Sequence, residues 1–202
     1  MKIKTILILS IMAIILIGCY DSSQDLTKIK DTIRMAVSSR DSGLCETLEG
    51  VSWQDECYKE LSGATKNIEL CKKIKGNDSK SSCIAYIGIE KQDTEMCSSI
   101  EDLEWQGWCQ RNIAIKELDL DICKKITDSG EKSKCFADMA MIKQDPSICR
   151  SIAENGPCYL ELALIKSDES LCSQISDANN KDSCYQSLAD KKSNQELCAK
   201  IQ

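Results

Sequence analysis

This chain predicts an all-α protein in which disulfide-stapled helical hairpins repeat into a short solenoid-like array. Three observations carry that expectation. Thirteen of the fourteen cysteines, Cys45 to Cys198, lie on one ruler of alternating 12- and 14-residue steps, broken once by a 9-residue step from Cys149 to Cys158. A fixed period of this size marks a repeat in which each unit is one supersecondary element. Four residues after the first cysteine of each unit comes a large aliphatic (Leu61, Ile87, Ile113, Met139, Leu162, Leu188), followed by a small residue (Ser62, Gly88, Ala114, Ala140, Ala163, Ala189). A cysteine with an aliphatic at i+4 marks one helical face, and the small neighbour lets a second helix approach closely. Strand signals are lacking, with a single Phe and no period-two runs of β-branched or aromatic residues.

The elements follow in chain order. Met1 to Lys4 form a short basic segment, and Ile6 to Gly18 an apolar run too short to span a bilayer comfortably but of signal-peptide length. The run ends in Leu16-Ile17-Gly18-Cys19, which resembles the lipobox of prokaryotic lipoproteins. That resemblance implies cleavage after Gly18, lipidation of the Cys19 thiol and anchoring at the extracytoplasmic face of a cell membrane or envelope. Stable anchoring needs more than one acyl chain. The alternative is an ordinary secretory signal with an incidental cysteine, or an uncleaved helix. The boundaries drawn are 1–18 for the signal, 19–25 for a lipidated N-terminus and short tether, and 26–202 for the cysteine-rich repeat domain.

Residues 26–44 read as a first long helix in which Asp31 takes the cysteine position. Ten residues after each such position stands Asp41, Asn67, Asp93, Asp119, Asp145, Asp168 or Asn194. Asp and Asn there are helix N-caps, whose side-chain oxygens accept unpaired N–H groups of the first turn. Pro146 at the first helical position agrees with this. Beyond each cap a cysteine falls at the fourth helical position, and an aliphatic three further on: Leu48, Ile74, Ile100, Ile126, Ile152, Ile175 or Ile201. This predicts a short second helix of roughly two turns. Stretches such as residues 75–79 and 177–180 read as loops, and residues 194–202 as a last short helix.

Export places cysteines where thiols oxidise, so the ladder reads as a disulfide framework. Pairing across the 14-step would join positions offset by about 9 Å along antiparallel helices, beyond the Cα separation of roughly 4.4–6.8 Å that a disulfide spans. The 12-step sets both cysteines at similar distances from the loop. It favours Cys45–Cys57, Cys71–Cys83, Cys97–Cys109, Cys123–Cys135, Cys149–Cys158 and Cys172–Cys184, although stacked neighbours leave other connections open. Cys198 is then unpaired and expected to be buried and inert.

The rest of the composition narrows function. There is no histidine and no C-x-x-C pair, so zinc sites, His-based nucleophilic catalysis and dithiol redox chemistry find no support. A paired-carboxylate hydrolase stays open at this level, but capping already accounts for the acidic positions. Loss of residues 1–18 leaves 24 basic against 32 acidic residues, a net charge of −8, which argues against nucleic acid as a partner. No cofactor or metal is expected. Trp53 and Trp105 sit four residues before a cysteine at equivalent positions, which reads as hairpin packing. The functional reading joins them with Trp108 in a partner surface. The pairs Lys72-Lys73, Lys124-Lys125 and Lys191-Lys192 read as solvated faces.

With these positions laid out, the unit D-x-x-[LI]-C-x-x-I, a polar loop, then C-x-x-x-L-A resembles the cysteine-containing helical repeats of roughly 26 residues found in bacterial and archaeal lipoproteins. That group has no established activity, so the likeness implies architecture and no mechanism. The resulting expectation is a non-enzymatic, membrane-anchored repeat protein presenting a surface to a protein or peptide partner. The alternative is a structural or spacer lipoprotein of the cell envelope.

Overall fold

A computed structural model describes residues 25–201. The signal segment and Cys19 lie outside the described residues. Long and short helices alternate: α1 (25–39), α2 (Gly43–Glu46), α3 (Val51–Thr65), α4 (Ile68–Lys72), α5 (Asn77–Lys91), α6 (Thr94–Ser98), α7 (Leu103–Glu117), α8 (Leu120–Lys125), α9 (Ser129–Lys143), α10 (Gly156–Lys166) and α11 (Ala178–Lys192). In the later repeats the short element is a 3-10 helix: Pro146–Ser151, Glu169–Gln174 and Gln195–Lys200. No strand occurs among the described residues. Backbone packing divides the chain into two compact units, one running to Ile87 and one from Gly88.

The turn from long to short helix is built the same way seven times. Arg40, Lys66, Gln92, Leu118, Gln144, Ser167 and Ser193 all take the left-handed conformation, with φ between 49° and 57°. The next residue is the Asp or Asn cap. At Asp41, Asp93, Asp119, Asp145, Asp168 and Asn194 its N–H reaches back to the carbonyl of the small residue five before it, as from Asp93 to Gly88 at 2.9 Å and from Asp119 to Ala114 at 3.0 Å. This is the Schellman closure of a helix C-terminus, achieved without glycine. The same residue then caps the following helix. The carboxylate or amide oxygens of Asp41, Asn67, Asp93, Asp119, Asp145, Asp168 and Asn194 accept first-turn N–H groups at 2.8–3.0 Å. One residue therefore terminates one helix and starts the next.

The short elements differ from the expected two turns. They hold only four to six residues, and the aliphatic three after the cysteine lies just past the helix. Ile126, Ile152 and Ile175 are extended, yet each donates its N–H to the cysteine carbonyl three residues back. The chain must leave the helix there to swing into the next long one, and the aliphatic is buried all the same. Ile74, Ile126 and Ile175 are each 1% exposed.

The loops are also shorter than the composition suggests. The long helices begin at Asn77 and Ala178, inside the two stretches read as loops. Asp102, Asp128 and Asp177 cap α7, α9 and α11 by accepting N–H groups three residues on, at 2.7–2.9 Å. Gly50 starts α3 at φ 92°, a conformation that excludes most other residues.

Within each unit the core is made of aliphatics and sulfur. Leu61 and Ile87 in the first unit, and Ile113, Met139, Leu162 and Leu188 in the second, are at most 2% exposed. The small residue beside each aliphatic makes room for sulfur. In the first unit the Ser62 hydroxyl donates to Cys83 Sγ at 2.8 Å. In the second, a Cβ on Gly88 would stand 3.1 Å from Cys109 Sγ and 3.4 Å from Cys97 Sγ.

Two helix-interior glycines face opposite environments. A Cβ on Gly107 would stand 2.7 Å from Glu131 Cβ and 3.1 Å from Ile126 Cγ2, whereas one on Gly63 would meet nothing within 4 Å. Gly107→Ala is therefore expected to destabilise by about 1–3 kcal/mol through overpacking. Gly63→Ala should stabilise by up to about 1 kcal/mol through helix propensity. Thermal unfolding of the oxidised protein followed by circular dichroism reads both signs.

Candidate functional site

The feature shared by the repeats is the disulfide that joins each short helix to the long helix after it. Six bonds are formed: Cys45–Cys57, Cys71–Cys83, Cys97–Cys109, Cys123–Cys135, Cys149–Cys158 and Cys172–Cys184, with Cα separations of 5.5–5.8 Å. The 9-residue step is accommodated because α10 is shortened to 11 residues and starts at Gly156. A Cβ at Gly156 would collide with Asn180 at 2.8 Å. All twelve bridged cysteines are at most 4% exposed.

Cys198 departs from expectation. It is free and exposed rather than buried, because within the described residues no long helix follows to cover it. Asp31, in the register that cysteines hold elsewhere, is exposed and accepts from Arg34 Nη1 at 2.7 Å.

The three tryptophans are half-buried. Trp105 and Trp108, both on α7, pack edge to face with ring centroids 5.4 Å apart and planes at 79°, a geometry that aromatic quadrupoles favour. Trp53, on α3, borders a groove of about 460 Å³ with Lys28, Ile29 and Thr32 of α1 and Leu48. Packing and partial display thus coexist at the same rings.

Charged residues take structural work that spacing alone did not assign. Glu131, 2% exposed, accepts from Arg111 Nε at 2.9 Å and Lys134 Nζ at 2.6 Å, and Arg111 Nη1 also reaches Asp138 at 2.7 Å. A buried carboxylate is tolerated when it is paired in this way. The bond to Glu131 holds the Lys134 ammonium above its ordinary pKa. Asp55, buried on α3, accepts the N–H groups of Lys75 and Gly76, both at 2.9 Å.

The paired lysines Lys72-Lys73, Lys124-Lys125 and Lys191-Lys192 are all exposed, and some lysines also reach across to neighbouring helices. Lys73 donates to Glu46 at 3.0 Å and lies 5.4 Å from the centre of the Tyr58 ring. Lys191 donates to the carbonyl of Leu164 and Lys166 to that of Gln144, the latter at 2.8 Å. These contacts cap helix C-termini across neighbouring long helices. Gln110 holds a seat that Tyr58, Phe136, Tyr159 and Tyr185 take in other repeats. Its Nε2 donates to Ser98 Oγ at 3.3 Å.

A sequence signal for part of this existed. Asp102, Asp128 and Asp177 all lie seven residues before a cysteine, a second cap register beside the one recognised. The Arg111–Glu131–Asp138 network carries no such mark.

Among the described residues no group of three or more Cys, Asp or Glu side chains converges as a metal site. No helix among them is long and apolar enough to cross a membrane. Comparison with protein-family models, with curated proteins and with solved structures finds no match in any of the three.

Accessibility separates the two kinds of sulfur. A thiol-alkylating reagent applied to the native protein should modify Cys198 and none of the twelve bridged cysteines, as read by peptide mass spectrometry. Full reduction should expose the twelve and lower the thermal midpoint sharply, since each bridge is worth about 2–4 kcal/mol and short helices are marginal alone.

The caps also make stability depend on acid. The Ser170 hydroxyl, and then its N–H, hold the Asp168 carboxyl below its usual range, and Ser147 does the same for Asp145. Lys73 lowers Glu46 and Lys200 lowers Glu169. Groups depressed in the folded state stabilise above their unfolded pKa of about 4 and lose that contribution as pH falls through the folded values. The melting temperature should be level from neutral pH to about 5 and decline steadily below it. Asp168→Asn and Asp145→Asn should flatten part of that decline.

Proposed function

We propose that the protein is a lipid-anchored, extracytoplasmic helical-repeat protein that presents a surface to a protein or peptide partner and performs no catalysis. The observation that carries the reading is the disulfide built into successive repeats, which is consistent with an oxidising compartment. The Leu16-Ile17-Gly18-Cys19 sequence supplies the anchor. In this reading the Cys19 thiol carries a thioether-linked lipid, and the basic Lys2 and Lys4 leave with the signal segment. The likeness of the unit to prokaryotic lipoprotein repeats belongs to the same proposal.

Several features support a binding role over a catalytic one. The chain has no histidine, and many carboxylates are engaged in helix capping or ion pairs. Met35 and Tyr86 in the first unit, and Leu103, Ile142 and Ile165 in the second, are each exposed by half or more, which leaves apolar area for a partner. Trp53, Trp105 and Trp108 add partly displayed aromatic rings that suit anchor positions.

Expression in a lipoprotein-processing cell tests the anchor. The mature protein should begin at Cys19, incorporate labelled fatty acid and partition into detergent. Cys19→Ser should abolish the label and leave the repeat domain in the aqueous phase. Crosslinking on whole cells should then join the anchored protein to a discrete partner.

A further inference from the structure

We infer that a groove over Gly63 in the first unit seats an aliphatic side chain (leucine, isoleucine or methionine) presented by a partner protein. This rests on the surface-presenting reading above and names the chemistry that one part of the surface recognises. The groove has a volume of about 460 Å³ and is walled by Val37 of α1, Ala64 of α3, and Cys83, Tyr86 and Ile87 of α5, with Lys59 and Glu60 adding charge.

Its origin is a departure from the repeat. Six residues after the cysteine position the chain carries Val37, Gly63, Ile89, Ile115, Met141, Leu164 and Asp190. Val37, Ile89, Ile115, Met141 and Leu164 are all half-buried aliphatics on long helices. Gly63 alone has no side chain in this register, and a Cβ there would meet nothing within 4 Å. The neighbouring repeats therefore show what chemistry the seat accepts. Tyr86, 56% exposed, stands where the other long helices carry Arg34, Glu60, Asn112, Asp138, Glu161 or Ser187, and it adds an aromatic wall beside the position where Gly63 lacks a side chain. An incoming aliphatic would complete the register and cover apolar surface on Val37, Ile87 and Tyr86.

Selection of a phage-displayed peptide library on the full mature chain tests this, with Gly63→Leu as the discriminating variant. That substitution fills the groove from within. It enters open space with a strong helix former, so the fold is retained, and circular dichroism checks that. Selected peptides should share a Leu, Ile or Met anchor and bind Gly63→Leu at least about 10-fold more weakly, as loss of a buried anchor does. Tyr86→Ala should weaken them in the same direction. Peptides that bind both forms equally would overturn the groove and leave the surface-presenting reading intact. Failure to enrich any peptide would also overturn the groove, whereas the surface reading fails only if crosslinking on cells finds no partner. A wild-type dimer that becomes monomeric in Gly63→Leu would make a second copy the occupant and overturn the proposal.

Discussion

Each repeat depends on one covalent constraint, the sulfur bridge between a short helix and the long helix that follows it. Elements of four to six residues cannot hold a helical shape alone, and a single repeat has too few aliphatics for a core of its own. Closing a short loop restricts the unfolded chain and so supplies stability that packing does not. The bridge also sets composition beyond itself. The bond is buried, and something small must lie against it, which is why Ser62 donates to one sulfur and Gly88 leaves room for two others.

Between the bridges the turns are held by polar contacts of equal regularity. A left-handed residue followed by Asp or Asn closes one helix and opens another with two bonds, one from the backbone N–H and one to the side chain. Left-handed backbone at non-glycine residues costs about 1–2 kcal/mol, and the paired bonds offset it. The acidic character of the chain is largely a consequence: carboxylates sit at helix N-termini, where they answer the dipole. Lysines answer it at the other end, reaching the carbonyls of Leu164 and Gln144. What looks like an undirected charged surface is in good part helix termination.

Because the repeat is so regular, its irregularities stand out. Gly63 in place of an aliphatic, Gly107 against Glu131, Gln110 in an aromatic seat and the shortened Cys149–Cys158 unit are among the places where the pattern yields, with Asp31 and Asp190. Gly107 and the shortened unit are explained by packing within the second unit, since their neighbours collide with any added Cβ. Gly63 is not, for its missing side chain leaves open space. A departure without an internal cause is the natural place to look for an external partner.

The amino-acid pattern alone determined the all-α class, the period, the cap positions before each short helix and the burial of the aliphatics beside each cysteine. These follow from spacing along the chain, and spacing is local. For the sulfur connectivity it favoured the 12-step and left others open, because distance between helices depends on how they stack. The exposure of Cys198, the extended aliphatics after the short elements, the Arg111–Glu131–Asp138 pairing and the groove at Gly63 were decided only by tertiary structure. Each of them depends on which residues from different repeats come to lie side by side, and a one-dimensional register does not contain that distance.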